Sequence, residues 1–238
     1  MEHKIINWIR QQLKASRAKG VIVGLSGGLD SAVTAALCSR ALGKKRVLGL
    51  ILPCVTQKQD IADARLVARS LGLRVKTIDL GQVYKAYLKI LPGSNQIALG
   101  NLKARLRMSA LYYFANKLNY IVCGTSNKSE ILMGYFTKYG DGAEDIAPLG
   151  CLLKSQVRKI AQSLKIPQRI IKKAPTAGLW PGQTDEAEMG ISYARLDDIL
   201  LRLSRKQKQV QPARLVNKVK SRIKASEHKR QPPKICKI

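Results

Sequence analysis

The 238-residue sequence lacks paired cysteines. Its five, Cys38, Cys54, Cys123, Cys151 and Cys236, are odd in number, and no two stand at CxxC spacing. That pattern disfavours a zinc ribbon or a disulfide framework and fits thiols kept reduced in a cytoplasmic protein. Cys38 falls in an apolar helical pattern and Cys123 in a strand pattern, so both are expected to be buried. No apolar run approaches a membrane span, and none follows the N-terminus, so a soluble chain without a membrane partner is expected. No internal repeat or low-complexity tract is present. Acidic residues are scarce: 15 Asp and Glu stand against 43 Lys and Arg, a formal charge of +28. Such an excess attracts polyanions. The basic residues are spread along the chain and are densest from Arg202 onward. This favours a Lys-rich solvated surface on a phosphate-handling enzyme, and nucleic acid is disfavoured as a partner.

What is present is material for one substantial core, since 45% of the residues are hydrophobic. Residues 4–17 place Ile5, Ile6, Trp8, Ile9 and Leu13 at helical spacing. VIVGL (21–25) reads as a buried strand, AVTAALCSRAL (32–42) as a helix and RVLGLIL (46–52) as a second strand. A helix over 60–71 leads to a third strand, RVKTIDL (74–80). Strand and helix alternate in this way only when parallel strands are crossed over by helices. The predicted fold class is therefore α/β, a doubly wound, mainly parallel sheet flanked by helices. A long helix (101–118), a fourth strand (120–125), a Gly-rich loop (134–150), a helix (154–166), an irregular stretch (174–190) and a further helix through Leu203 follow. The basic tail from about 204 reads as helical over 212–225 and ordered by ligand at its end.

The most informative stretch is GLSGGLDS (24–31), set between a buried strand and a helix. Backbone N–H groups and the helix dipole favour an anion there. Gly27 and Gly28 admit a phosphate closely, Ser26 and Ser31 add hydroxyl donors, and Asp30 puts a carboxylate where a Mg²⁺ would bridge to phosphates. The loop is neither GxxxxGK[ST] nor GxGxxG. It resembles the SGGxDS loop of the ATP pyrophosphatase superfamily, whose fold is Rossmann-like and whose members cleave ATP between the α- and β-phosphates. The resemblance makes Gly24, Leu25, Ser26, Gly27, Gly28, Leu29, Asp30 and Ser31 candidate ATP contacts. A tRNA-modifying ligase with such a loop is the alternative, which the basic charge supports and the missing CxxC pairs weaken.

Further segments, in the same order along the chain, resemble ammonia-dependent NAD synthetases. They are GNLKARLRM (100–108), GTSNKSE (124–130), FTKYGDGAEDIAPL (136–149), KKAPTAGLWPGQTDE (172–186) and EHKRQPP (227–233). The resemblance implies that Thr125, Lys154 and Thr176 contact ATP and that Asp30 and Glu130 hold Mg²⁺. It implies that Arg105, Lys138, Asp145, His228 and Lys229 hold deamido-NAD, and that Asp141 stands near the ammonia. Ala143 and Glu144 depart from the family's commoner Gly and Ala. The implied reaction is ATP-dependent amidation of deamido-NAD to NAD, with a homodimer as the usual assembly. An N-terminal glutamine-hydrolysing domain is not recognised, so ammonia is the expected donor unless another chain delivers it. The expected organisation is one synthetase domain over 1–203 and a basic extension, 204–238, folding onto the substrate site.

Overall fold

The computed structural model describes residues 1–93, 95–205, 207 and 212–236. Its elements run in the order α1 (Glu2–Ser16), β1 (Gly20–Gly24), α2 (Leu29–Leu42), β2 (Val47–Ile51), α3 (Lys58–Leu71), β3 (Arg74–Thr77), α4 (Gly81–Ile90), α5 (Gln96–Leu118) and β4 (Tyr120–Val122). Then come α6 (Lys128–Met133), α7 (Lys154–Ser163), α8 (Gln168–Lys172), α9 (Asp185–Met189), α10 (Tyr193–Ser204), α11 (Ala213–Ala225) and α12 (Glu227–Arg230).

The four strands form one parallel sheet in the order β3-β2-β1-β4, as the alternation predicted. Val21 stands opposite Val47 on one side of β1, and Gly20 opposite Tyr120 on the other. The chain moves outward from β1 to β3 and then returns to the far side of β1 as β4. Strand order therefore reverses between β1 and β4, where open α/β sheets leave a crevice at the carboxyl ends. The phosphate loop follows β1, and Gly124 and Thr125 follow β4, so both segments border that crevice.

The central strands β1 and β2 are buried, which is why they read as continuous apolar runs rather than alternating ones, whereas β3 at the sheet edge is exposed along its length. Residues of α1, α2, α3, α7 and α8 pack on one face, and residues of α4 and α5 on the other. A third cluster joins Met133, Met189, Leu196, Ile199, Val216 and Val219, so α11 docks through its apolar positions. Cys38 and Cys123 are buried free thiols with Sγ atoms 3.4 Å apart. Among the described residues, no helix is long and apolar enough to cross a membrane.

The structure corrects several expectations. Trp8 faces outward, 37% exposed, while Ile5, Ile6, Ile9 and Leu13 carry the buried face of α1. The third strand stops at Thr77 and the fourth at Val122. Beyond Val122 the chain pairs instead with the 145–146 segment: Cys123 bridges Ile146, and the Val122 N–H donates to the Asp145 carboxylate at 2.7 Å. Helices α4, α8 and α9 lie outside the expected helices, two of them only five residues long. The tail is helical over Ala213–Ala225 and again over Glu227–Arg230. Of the expected extension 204–238, residues 206, 208–211, 237 and 238 lie outside the described set.

Candidate active site

Three helix N-termini meet at the crevice. The loop before α2 is closed by its own hydroxyls: Ser31 Oγ donates to the Gly28 carbonyl at 3.0 Å, Ser26 Oγ lies 3.1 Å from Ser31 Oγ, and the Gly28 N–H donates to Ser26 Oγ at 3.2 Å. Gly27 holds φ +79°, and a Cβ there would lie 2.5 Å from the Asp60 carbonyl. No side chain caps α2, which leaves its first-turn N–H groups for an anion.

Asp30, in the first turn of α2, accepts from Asn127 Nδ2 at 3.1 Å and pairs through its other oxygen with Lys154. Asn127 caps α6, and Glu130 returns its Oε2 to the Asn127 N–H at 3.2 Å, a reciprocal capping box. Lys154 opens α7 with its side chain only 6% exposed, and its Nζ lies 3.0 Å from Glu130 Oε1. Burial works against the Lys154 charge, but the Asp30 and Glu130 carboxylates outweigh it and hold the ammonium above the ordinary lysine range. Burial pushes Glu130 up to about 7, with Lys154 pulling the other way. The Tyr193 hydroxyl touches two carboxylates, Glu130 Oε1 at 3.1 Å and Asp185 Oδ2 at 2.9 Å. A phenol has one proton, so the hydroxyl serves the two carboxylates in turn or through one shared, three-centre bond. Asp197 of α10 fixes this corner from behind, accepting from Ser129 Oγ at 2.6 Å and from the Ser155 N–H at 2.7 Å.

Asp30, Glu130, Lys154 and Asp185 border a cavity of about 670 Å³. Of the predicted ATP contacts, Gly24, Leu25, Ser26, Gly28, Leu29, Asp30, Ser31, Thr125, Lys154 and Thr176 line it, as does Glu130. Gly27 does not, because it turns onto α3. Asp141 and Lys229 also line the cavity. Asp141 Oδ1 accepts from the Thr137 N–H at 2.8 Å. The surrounding protein pushes the Asp141 carboxyl upward, while the Thr137 hydrogen bonds and Lys229 pull it down. Lys229 Nζ donates to the carbonyls of Gly134 and Phe136, both at 2.8 Å.

Arg105, Lys138, Asp145 and His228 are not in the cavity wall. Arg105 reaches the Lys138 carbonyl at 3.4 Å, and Lys138 Nζ donates to the His228 carbonyl at 2.6 Å and the Gln231 carbonyl at 3.3 Å. Asp145 accepts from the Tyr112 hydroxyl at 3.2 Å besides the edge of β4. Lys138 thus joins the 136–146 loop to the tail, while Arg105 and Asp145 join that loop to α5 and β4.

A protein-family model described as NAD synthase matches residues 1–233. The chain belongs to the NAD synthase family. An NH(3)-dependent NAD(+) synthetase of Methanosarcina acetivorans is 44% identical over 249 residues, spanning 100% of this chain and 97% of that protein. Among solved structures, an NMN synthetase from Francisella tularensis superposes with a TM-score of 0.91 at 40% identity, covering 100% of this chain and 97% of that one. An NH3-dependent NAD synthetase from Campylobacter jejuni, in complex with the nitrate ion, gives a TM-score of 0.86 at 34% identity, with coverage of 99% and 97%.

Within this NAD synthase fold, sequence reading missed the groups that surround the predicted ones. Asn127 and Tyr193 bond the acids directly, and Asp185 and Asp197 stand one bond further out, through Tyr193 and through Ser129. Arg107, two residues beyond Arg105 in the same ARLRM run, lines the cavity and donates to the Leu52 carbonyl and to Thr56 Oγ1, both at 3.2 Å. Its signal was available, since an arginine one helical step along the same motif turns a different face. Tyr193 and Asp185 had none, for they follow the loop by more than 150 positions and sit in short, ordinary helix starts.

Proposed function

We propose that this chain is an NH3-dependent NAD(+) synthetase, which uses ATP to turn the nicotinate carboxylate of deamido-NAD into an amide and releases AMP and pyrophosphate. The observation that carries this reading is the meeting of the phosphate loop, two carboxylates and one lysine at the mouth of the cavity, in a chain matched along its whole length by such synthetases.

A carboxylate oxygen of the substrate attacks the α-phosphorus of ATP, and the bond from that phosphorus to the bridging oxygen breaks. The departing pyrophosphate is received by the N–H groups and hydroxyls of 26–31, with Lys154 and Thr176 beside it. Positioning and charge neutralisation are most of what such a transfer requires. The donor set fits Mg²⁺: Asp30 and Glu130 converge on a single cationic atom, and Mg²⁺ commonly takes one or two carboxylates and completes its shell with phosphate and water. Bound there, it would neutralise the developing charge on the phosphates. Ammonia then attacks the acyl carbon, the bond to AMP breaks, and Asp141 accepts the proton that the nitrogen sheds. Arg105, Lys138, Asp145, His228 and Lys229 hold deamido-NAD, and the extension from 204 closes over it, which keeps water from the adenylate. The free buried thiols fit a reducing cytoplasm.

A homodimer is part of the same reading. Val83, Tyr87, Leu88 and Ile90 of α4 stand exposed, as do Ile97, Tyr113 and Leu118 of α5, a concentration of apolar surface suited to a second copy. Light scattering that finds only monomer at micromolar concentration would end that part of it.

The test supplies ATP, Mg²⁺ and ammonium with deamido-NAD, with nicotinate mononucleotide or with bulk tRNA, and measures AMP and the amide product. AMP and NAD in equal amounts with deamido-NAD are the expected result. The likeness to an NMN synthetase structure favours the mononucleotide as the second reading, and product from it alone would transfer the substrate to it. AMP formation with tRNA alone would overturn both.

A further inference from the structure

Lys173 is absent from the predicted site, yet its ammonium ties the phosphate loop to two other segments. Asp60 and Asp63 stand three apart in the first turns of α3 and face the loop on one side of the helix. Gly27 packs directly on that face. A Cβ at Gly27 would lie 2.5 Å from the Asp60 carbonyl, 2.9 Å from the Ala64 nitrogen and 2.9 Å from Asp63 Cβ, so the loop has no slack against α3. Lys173, the residue after α8, sends Nζ to Asp63 Oδ2 at 2.7 Å, to Asp60 Oδ1 at 2.8 Å and to the Gly27 carbonyl at 3.4 Å. Asp63 is 2% exposed, and its other oxygen takes Gln59 Nε2 and Arg169 Nε, each at 2.9 Å. Burial disfavours the Asp63 charge, but Lys173, Gln59 and Arg169 outweigh it and keep the carboxyl ionised below its ordinary range.

This is not the loose surface pair that contributes little. One member is buried, and taking away its cation would leave an uncompensated charge beside the loop. Lys173 also begins the run Lys173–Ala174–Pro175–Thr176, all of which line the cavity together with Asp60. The same ammonium therefore sets two candidate nucleotide contacts, the loop on one side and Thr176 three residues away on the other.

We propose that Lys173 is a positioning residue for ATP, registering the phosphate loop and Thr176 against α3 so that both meet one diphosphate. The proposal rests on reading the cavity as the ATP site. Its test measures ATP·Mg²⁺ binding by calorimetry without the second substrate, KM for each substrate, and thermal unfolding, in K173M, K173R, T176A and the K173M/T176A double variant. The expected result is an ATP affinity about tenfold weaker in K173M, with KM for deamido-NAD within about twofold and most of the loss recovered in K173R. In the T176A background K173M should add well under half of its single effect, because the two act through one contact. Additive effects, an unchanged ATP affinity with a lowered melting temperature, or a K173R no better than K173M would each overturn the role. If K173M fails to fold, D60N removes one carboxylate while leaving Asp63 paired. A smaller loss of ATP affinity in the same sense supports the proposal, and no loss overturns it. Wild-type chain that binds no ATP would bring down the cavity reading and the proposal together. ATP bound equally by wild type and K173M would remove Lys173 alone.

Discussion

The two ends of the site are built differently. At the nucleotide end, Asp30, Glu130 and Lys154 come from the first turns of α2, α6 and α7, and each has a charged partner within hydrogen-bonding distance. Helix N-termini stabilise carboxylates and phosphates alike, so this end is assembled, with one ammonium set between two carboxylates, before any ligand arrives. At the acceptor end, Lys138, Arg105 and Lys229 donate to backbone carbonyls, and Asp145 accepts from a backbone N–H. Carbonyls satisfy a cation's donors without cancelling its charge. Under the function proposed above, these cations would serve an anionic dinucleotide, whose phosphates can replace the carbonyl contacts. The difference teaches that the phosphate-handling half is preorganised by secondary structure, while the other half depends on a loop and a tail meeting across about 90 residues of sequence.

The sharpest way to break this contrast is at Asp30. Asp30→Asn should lower AMP formation by about a hundredfold or more, the range for removing a charge stabiliser from a transition state, with an unchanged melting temperature. Unaltered turnover would leave the nucleotide end without its defining acid. A smaller effect is expected at the other end. Deleting residues 226–238 removes the Lys138 and Lys229 contacts, and should weaken deamido-NAD binding about tenfold while ATP binding stays within about twofold. Equal losses for both ligands would erase the division.

The smallest effect lies between the two ends, at Glu144. Its Oε2 is buried with no hydrogen-bond partner among the described residues, and it fills the space beside Gly124, where a Cβ would lie 1.3 Å away. Burial pushes its carboxyl up to about 8, with Asp141 and Glu130 acting in the same sense. Because the folded value is raised above 4.5, the folded state binds the proton more tightly than the unfolded chain does. That stability is fully present below the unfolded value and is lost as pH rises through the folded one. Glu144→Gln should therefore flatten the decline in urea stability between these limits. Parallel pH curves for the two proteins would show that Glu144 stays ionised in the fold.

The candidate site was legible in proportion to how local its parts are. SGGLDS was readable because a strand, a tight turn and a helix start are contiguous, and their order dictates where N–H groups point. Glu130 was readable as the third residue of a helix start, and the structure gives it a reciprocal capping box with Asn127. Lys154 was placed correctly at the opening of a helix. Its burial between two acids, 24 and 124 positions away, was not visible. Helix α8 escaped because five residues carry too little period, whereas the ten residues of α4 do carry an amphipathic period that sequence reading passed over. The apolar surface of α5 was hidden because basic and apolar positions are spread around its circumference, so no stripe announces which side is left uncovered.

By itself, the order of apolar runs, glycines and serines determined the doubly wound parallel sheet and the phosphate loop that opens α2. These follow from local sterics and hydrogen bonding, which neighbouring residues specify. Only the tertiary structure decided that one lysine joins Asp30 to Glu130, that a second joins Asp60 and Asp63 to the loop, and that the basic tail settles on 134–138. Those are contacts between segments far apart in the chain, and they exist because packing brings charges together where desolvation makes each one require its partner.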